Sequence, residues 1–102
     1  MYVLIWEYAV RPGREAEFER IYAPRGEWSE LFGQGEGYLG TELYRDEENP
    51  QRFITIDRWA SRGAFERFKQ EQGPAYESLD ARCEQLCEME TQLGSFTGAP
   101  CR

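Results

Sequence analysis

The order of apolar, aromatic and turn-forming runs in this 102-residue chain predicts an α+β domain with a ferredoxin-like β-α-β-β-α-β arrangement, an antiparallel sheet carrying its helices on one face. Three observations carry that reading. Runs dense in β-branched and aromatic residues occur near the N-terminus and twice in the middle. The stretches that follow the first and third runs space their apolar residues three or four apart, as one face of a helix does. A polar turn, Asp46-Glu47-Glu48-Asn49-Pro50, joins the second and third runs directly and makes them a hairpin.

The first strand runs from Tyr2 to Val10 and is broken by Arg11-Pro12-Gly13. Phe18, Ile21 and Tyr22 then mark a helix over 14–22, and Trp28, Leu31 and Phe32 a short second helical piece beyond Pro24-Arg25-Gly26. Gly33-Gln34-Gly35-Glu36-Gly37 reads as a plain loop, not a phosphate cradle, because it precedes a strand and no lysine follows it. Strands are expected over Tyr38–Arg45 and Arg52–Trp59. Ser61 is placed to cap a helix from Arg62 to Gln72, with Ala64, Phe65 and Phe68 on one face. Gly73-Pro74 ends it and starts another, whose stripe is Tyr76, Leu79, Cys83, Leu86 and Cys87. Glu88–Phe96 is the last strand. Residues 1–97 form one domain and 98–102 a tail.

Alternation puts Phe53, Thr55, Asp57 and Trp59 on one face of the third strand, and Arg52, Ile54, Ile56 and Arg58 on the other. The first strand divides into Tyr2, Leu4, Trp6, Tyr8 and Val10 against Val3, Ile5, Glu7 and Ala9. Neither strand offers water a polar face, as a half-solvated sheet would. A homodimer packed sheet against sheet follows as the expected partner arrangement.

The formal net charge of −7 repels phosphate backbones and anionic lipid, so neither nucleic acid nor a membrane surface is the expected partner. The N-terminus lacks a basic n-region and reads as a mature strand, and no apolar run reaches the length of a membrane span, so a cytoplasmic protein is expected. The three cysteines, Cys83, Cys87 and Cys101, do not suggest a disulfide framework. No metal site is expected, since the chain has no histidine.

The first strand with VRPGREAEFERIY, the opening Gly37-Tyr38-Leu39-Gly40 of the second strand, and TIDRWASRGAFERF over 55–68 together resemble the antibiotic biosynthesis monooxygenase (ABM) domain family, within the dimeric α+β barrels. The similarity extends from Met1 to about Phe96. It implies a barrel of two sheets in a dimer and a pocket between each sheet and its helices. It also implies, for some members, oxygenation of polycyclic phenols by molecular oxygen without metal or flavin. Others bind and cleave haem. Trp59 matches the family tryptophan at the end of the third strand, while Phe68 stands where members often carry a histidine. The position of the haem-cleaving members' asparagine falls near Trp6. Haem cleavage by the family route is therefore not expected.

Oxygenation without a cofactor needs a base to make the substrate electron-rich and a dry site that stabilises the resulting oxyanion. Asp57 and Glu42 are the candidate bases, because each lies in a strand rich in aromatics and burial raises a carboxyl pKa. Glu42 is expected on the same face as Tyr38 and Tyr44. The alternative for both acids is a paired surface or interface carboxylate. Trp59, Trp6, Tyr8, Tyr38, Phe65, Phe68 and Tyr76 are the candidate substrate-binding residues. The competing reading is that these rings fill the core. Three functions fit: a cofactor-independent monooxygenase, a non-enzymatic binder of small molecules, and a structural dimer.

Overall fold

Strand-forming runs and helix signals sort into separate layers in the computed structural model, which describes residues 1–99. The chain runs β1 (Tyr2–Val10), α1 (Glu15–Tyr22), α2 (Glu27–Phe32), β2 (Tyr38–Arg45), β3 (Arg52–Trp59), α3 (Arg62–Glu71), α4 (Gly73–Cys83), a 3₁₀ turn (Glu84–Leu86) and β4 (Cys87–Thr97). The sheet order is β2-β3-β1-β4, all neighbours antiparallel. This is the ferredoxin-like α+β fold.

Local chemistry sets the boundaries. The Ser61 hydroxyl accepts from the Ala64 amide at 3.1 Å and starts α3. Pro74 sits in the first turn of α4, where its missing N–H costs no helical bond. The helix stripe predicted to continue through Cys87 stops at Cys83. Leu86 lies in the 3₁₀ turn, and Cys87 is the first residue of β4, paired with Val10. Cys83 and Cys87 are both free and buried, and burial pushes the Cys87 thiol up to about 12. Gly98 continues the pairing, its amide donating to the Met1 carbonyl at 3.0 Å. The rest of the expected tail, Cys101 included, lies outside the described residues.

The core lies between sheet and helices. Phe18, Phe53, Trp59, Phe68 and Leu86 are its most deeply buried large side chains. The glycine-rich loop packs against it. A Cβ on Gly35 would stand 3.0 Å from the Phe68 ring and 3.1 Å from the Trp59 ring. Gly37 adopts φ 93° with a Cβ position 2.8 Å from that of Ala64. These glycines let the backbone approach the aromatic core closely, which is why they occur here without a phosphate to bind.

One irregularity redirects β2. Tyr38 pairs with Trp59 and Gly40 with Arg58, so Leu39 is an extra residue in a β-bulge, and Gly40 takes φ 135°. The bulge shifts the alternation by one. Tyr38 and Thr41 face the helices, whereas Glu42 and Tyr44 face away from them. The expected common face for Tyr38, Glu42 and Tyr44 is thus corrected. The face without helices carries Val3, Ile5, Ile54 and Ile56, partly buried, with Tyr44, Met89 and Phe96 about half exposed.

Candidate functional site

Side chains from β1, β3, α2 and α4 converge on Asp57. β3 is regular, so alternation delivers the Asp57 carboxyl to the helix side, next to Thr55 and opposite Leu4 and Thr41. Two cavities open there, and both are lined by Asp57, Trp6, Phe32 and Tyr76. The inner one, ≈ 30 Å³, adds Tyr8, Trp28, Asp80 and Glu90 to its walls. The outer one, ≈ 340 Å³, is bounded by Tyr2, Phe65, Arg62 and Lys69. A volume of that order holds a small aromatic ligand, and an aromatic wall with a few placed polar groups suits one.

Asp57 is 7% exposed. Burial pushes its carboxyl up to about 6, against the opposing effect of the 2.7 Å hydrogen bond donated by the Thr41 hydroxyl. A group with that proton affinity is ionised at neutral pH yet basic enough to accept a proton. Glu90 is also raised by burial, reinforced by Asp80 and Glu84. The Tyr8 hydroxyl lies 3.2 Å from that of Thr55, and burial holds its phenol far above the ordinary range. The Lys69 ammonium lies 3.9 Å from the Tyr76 ring centroid, at the rim of the outer cavity.

The predicted residues separate into three groups. Asp57, Trp6, Tyr8, Phe65 and Tyr76 line the cavities. Tyr38 stands behind them, bonded to Thr41. Trp59 and Phe68 line neither cavity. Trp59 is fully buried, with Phe32, Tyr38, Phe65 and Phe68 ring centroids 5.2–5.8 Å from its own. Its Nε1 has no hydrogen-bond partner among the described residues. Glu42 is on the opposite side of the sheet, where Arg58 approaches it at 2.7 Å and the Tyr44 hydroxyl donates to it at 2.7 Å. Those bonds, Tyr44's first, hold its carboxyl below the usual range. It is a paired carboxylate and not a second base in this site. Residues that alternation alone did not single out are Thr41, Trp28, Lys69, Asp80 and Glu90. A helical spacing of four from Phe65 was the available signal for Lys69.

Among the described residues no group of three or more Cys, Asp and Glu side chains is placed to hold a metal ion, and no helix is long and apolar enough to cross a membrane.

Residues 1–77 match the family described as antibiotic biosynthesis monooxygenase. The chain belongs to that family. ABM relatives of known structure share the fold over nearly the full length. SnoaB, a cofactor-independent oxygenase from Streptomyces nogalater, superimposes with a TM-score of 0.74 at 22% identity, over 98% of this chain and 94% of that one. A candidate ABM protein from Deinococcus radiodurans gives 0.75 at 14% identity, over 100% and 96%. Another, from Bordetella bronchiseptica, gives 0.71 at 26% identity, over 97% of each chain. No curated protein sequence matches the chain.

Proposed function

We propose that this ABM protein is a cofactor-independent monooxygenase acting on a small aromatic or polycyclic phenol held between sheet and helices, with Asp57 as general base. The observation that carries the reading is the buried carboxyl of Asp57 at the junction of two aromatic-walled cavities, poised near neutrality. Asp57 accepts a proton from the substrate, leaving an electron-rich anion. Molecular oxygen is the oxidant. It accepts the substrate's electrons and forms a carbon–oxygen bond, and the hydroperoxide then loses water. A ring methylene plus O₂ thereby becomes a carbonyl plus H₂O. Lys69 and Arg62 are the cations bordering the outer cavity, and they offset the anion's charge. Trp6, Phe65 and Tyr76 hold the ring system.

Oxygen consumption by the purified protein with a polycyclic phenol, in chelated buffer, is the expected result. Saturable binding of the phenol without oxygen uptake would make the protein a binding module using the same cavity. Neither binding nor uptake across a panel of such phenols would leave a structural role.

The apolar face of the sheet supports a homodimer. Val3, Ile5, Ile54 and Ile56 form a continuous apolar patch, extended by Met89 and Phe96, of the kind that marks an interaction surface. The Arg52–Glu7 and Arg58–Glu42 pairs on that face are already neutralised within one chain, which lowers the cost of covering them. Light scattering at micromolar concentration should give twice the chain mass. An Ile54→Glu chain should give the monomer mass, and a wild-type monomer would overturn the arrangement.

A further inference from the structure

From Asp57 a line of hydroxyl groups begins at Thr41, in the wall of the inner cavity, and runs away behind it. The Thr41 Oγ1 is 2.7 Å from Asp57 Oδ1, the Tyr38 Oη is 2.5 Å from Thr41 Oγ1, the Ser29 Oγ is 3.2 Å from Tyr38 Oη, and the Ala23 carbonyl oxygen is 3.2 Å from Ser29 Oγ. The line begins at the floor of the site and ends at the corner between α1 and α2.

Each hydroxyl has one hydrogen to give. Four contacts therefore face three hydroxyl hydrogens, and the fourth hydrogen has one source, the Asp57 carboxyl. With Asp57 protonated, the carboxyl donates to Thr41, Thr41 to Tyr38, Tyr38 to Ser29, and Ser29 to the Ala23 carbonyl. All four contacts are hydrogen bonds. With Asp57 ionised, Thr41 must donate to the carboxylate while Tyr38 still donates to Ser29 and Ser29 to the Ala23 carbonyl, so the 2.5 Å Tyr38–Thr41 contact is left without a hydrogen. Ionisation turns the Thr41 hydroxyl round and costs the line one hydrogen bond, at the Thr41–Tyr38 link.

We propose that Ser29, Tyr38 and Thr41 are positioning residues forming a three-hydroxyl relay, anchored on the Ala23 carbonyl, whose Thr41 link to Tyr38 is made or broken with the proton on Asp57 and which thereby sets that proton's affinity. The relay rests on the reading of Asp57 as base only for its consequence in turnover. When Asp57 takes a proton from substrate, the Thr41 hydroxyl turns from the carboxyl to Tyr38 and the Thr41–Tyr38 link regains its bond. The other titratable or charged groups around Asp57 are Tyr2 and Tyr8 of β1, Tyr22 of α1, Tyr76 and Asp80 of α4, Glu90 of β4, and Arg62, Glu66 and Lys69 of α3. None of them touches the relay hydroxyls through a hydrogen bond among the described residues.

The test is a ¹³C NMR titration of the Asp57 side-chain carboxyl in the free protein, assigned with Asp57→Asn. Ser29→Ala takes two bonds from the protonated state but a net one from the ionised state, where it frees the Tyr38 hydrogen for Thr41. Its midpoint should therefore fall by roughly half to one pH unit, the worth of one net hydrogen bond. Tyr38→Phe, by the same count, should also shift the midpoint down. Thr41→Val removes the donor to the carboxylate itself. That bond is charge-assisted and stronger than the neutral ones behind it, so its loss should shift the midpoint up. Opposite signs from neighbours on one line are not produced by a change in burial alone. Wild-type midpoints in both Ser29→Ala and Tyr38→Phe, or shifts of the same sign in all three variants, would overturn the relay. The titration requires no substrate, so it tests the relay even in a protein that lacks oxygenase activity.

Discussion

Asp57→Asn is expected to lower kcat/KM for oxygen-dependent turnover by about 10²–10⁴-fold, the usual worth of a positioned general base. The amide keeps the shape of the side chain and accepts from Thr41 as the carboxylate does, but it has no basic lone pair to take the substrate's proton. In the wild type, activity should rise with pH along a limb centred near the carboxyl's own value of about 6, because the ionised form is the base. The limb should be absent from the variant's residual rate. An oxygen electrode read across that pH range checks both statements, and wild-type turnover by Asp57→Asn would remove Asp57 from the chemistry.

The same substitution has a stability consequence of definite sign. Burial raises Asp57 in the folded state to about 6 from an ordinary carboxyl value of 3.8. The folded protein therefore binds this proton more tightly than the unfolded chain does. Its contribution is fully present below the unfolded value and is lost as pH rises through the folded one, a change of about 3 kcal/mol in all. Above that window Asp57 is a cost to folding, tolerated at a site where the raised proton affinity is useful. Asp57→Asn should flatten this part of the stability–pH curve and be the more stable protein at neutral pH. Urea unfolding at several pH values measures it.

Trp59→Ala is expected to destabilise the fold by about 3–5 kcal/mol, the range for emptying a buried aromatic site. For a domain of this size, each kcal/mol lowers Tm by roughly 4–8 °C, so a fall of about 12 °C or more should appear in a thermal melt. The reason is geometric. Trp59 is held by four aromatic rings and by the glycine-rich loop, where a Cβ on Gly35 would stand 3.1 Å from the Trp59 ring. The loop cannot collapse into the space without losing its own hydrogen bond from the Ala60 amide to the Gly37 carbonyl, 2.7 Å. Trp59→Phe should cost less, because part of the ring is replaced. A Trp59→Ala protein that melts with the wild type would show that the ring is not the core anchor its burial indicates.

The two residues illustrate how differently sequence speaks about neighbours. Asp57 and Trp59 are two apart on a regular strand, and period-two alternation correctly put both on the helix side. What surrounds each was not local. Phe32 and Gly35, well upstream in the chain, close over Trp59 and turn an expected pocket wall into core. Trp6 and Tyr76, from distant parts of the chain, leave space beside Asp57 instead. Glu42 was misplaced for a different reason. The bulge at Leu39 inserts one residue and inverts every side chain after it, and nothing in Tyr38-Leu39-Gly40-Thr41 announces that beyond a glycine. The same inversion carries Thr41 to the Asp57 carboxyl and so creates the hydroxyl line.

Periodicity, caps and turn residues are properties of adjacent residues. They suffice for the element order, the antiparallel hairpin, the helix-side face of β3 and the apolar character of the opposite face. Cavities, proton affinities and hydrogen-bond lines depend on distances between residues far apart in the chain. Long-range packing settles that Trp59 is sealed, that Glu42 is paired on the far side, and that Asp57 is desolvated at the mouth of two cavities. Desolvation is what makes an ordinary aspartate a candidate base, and it is produced by packing, which no single strand contains.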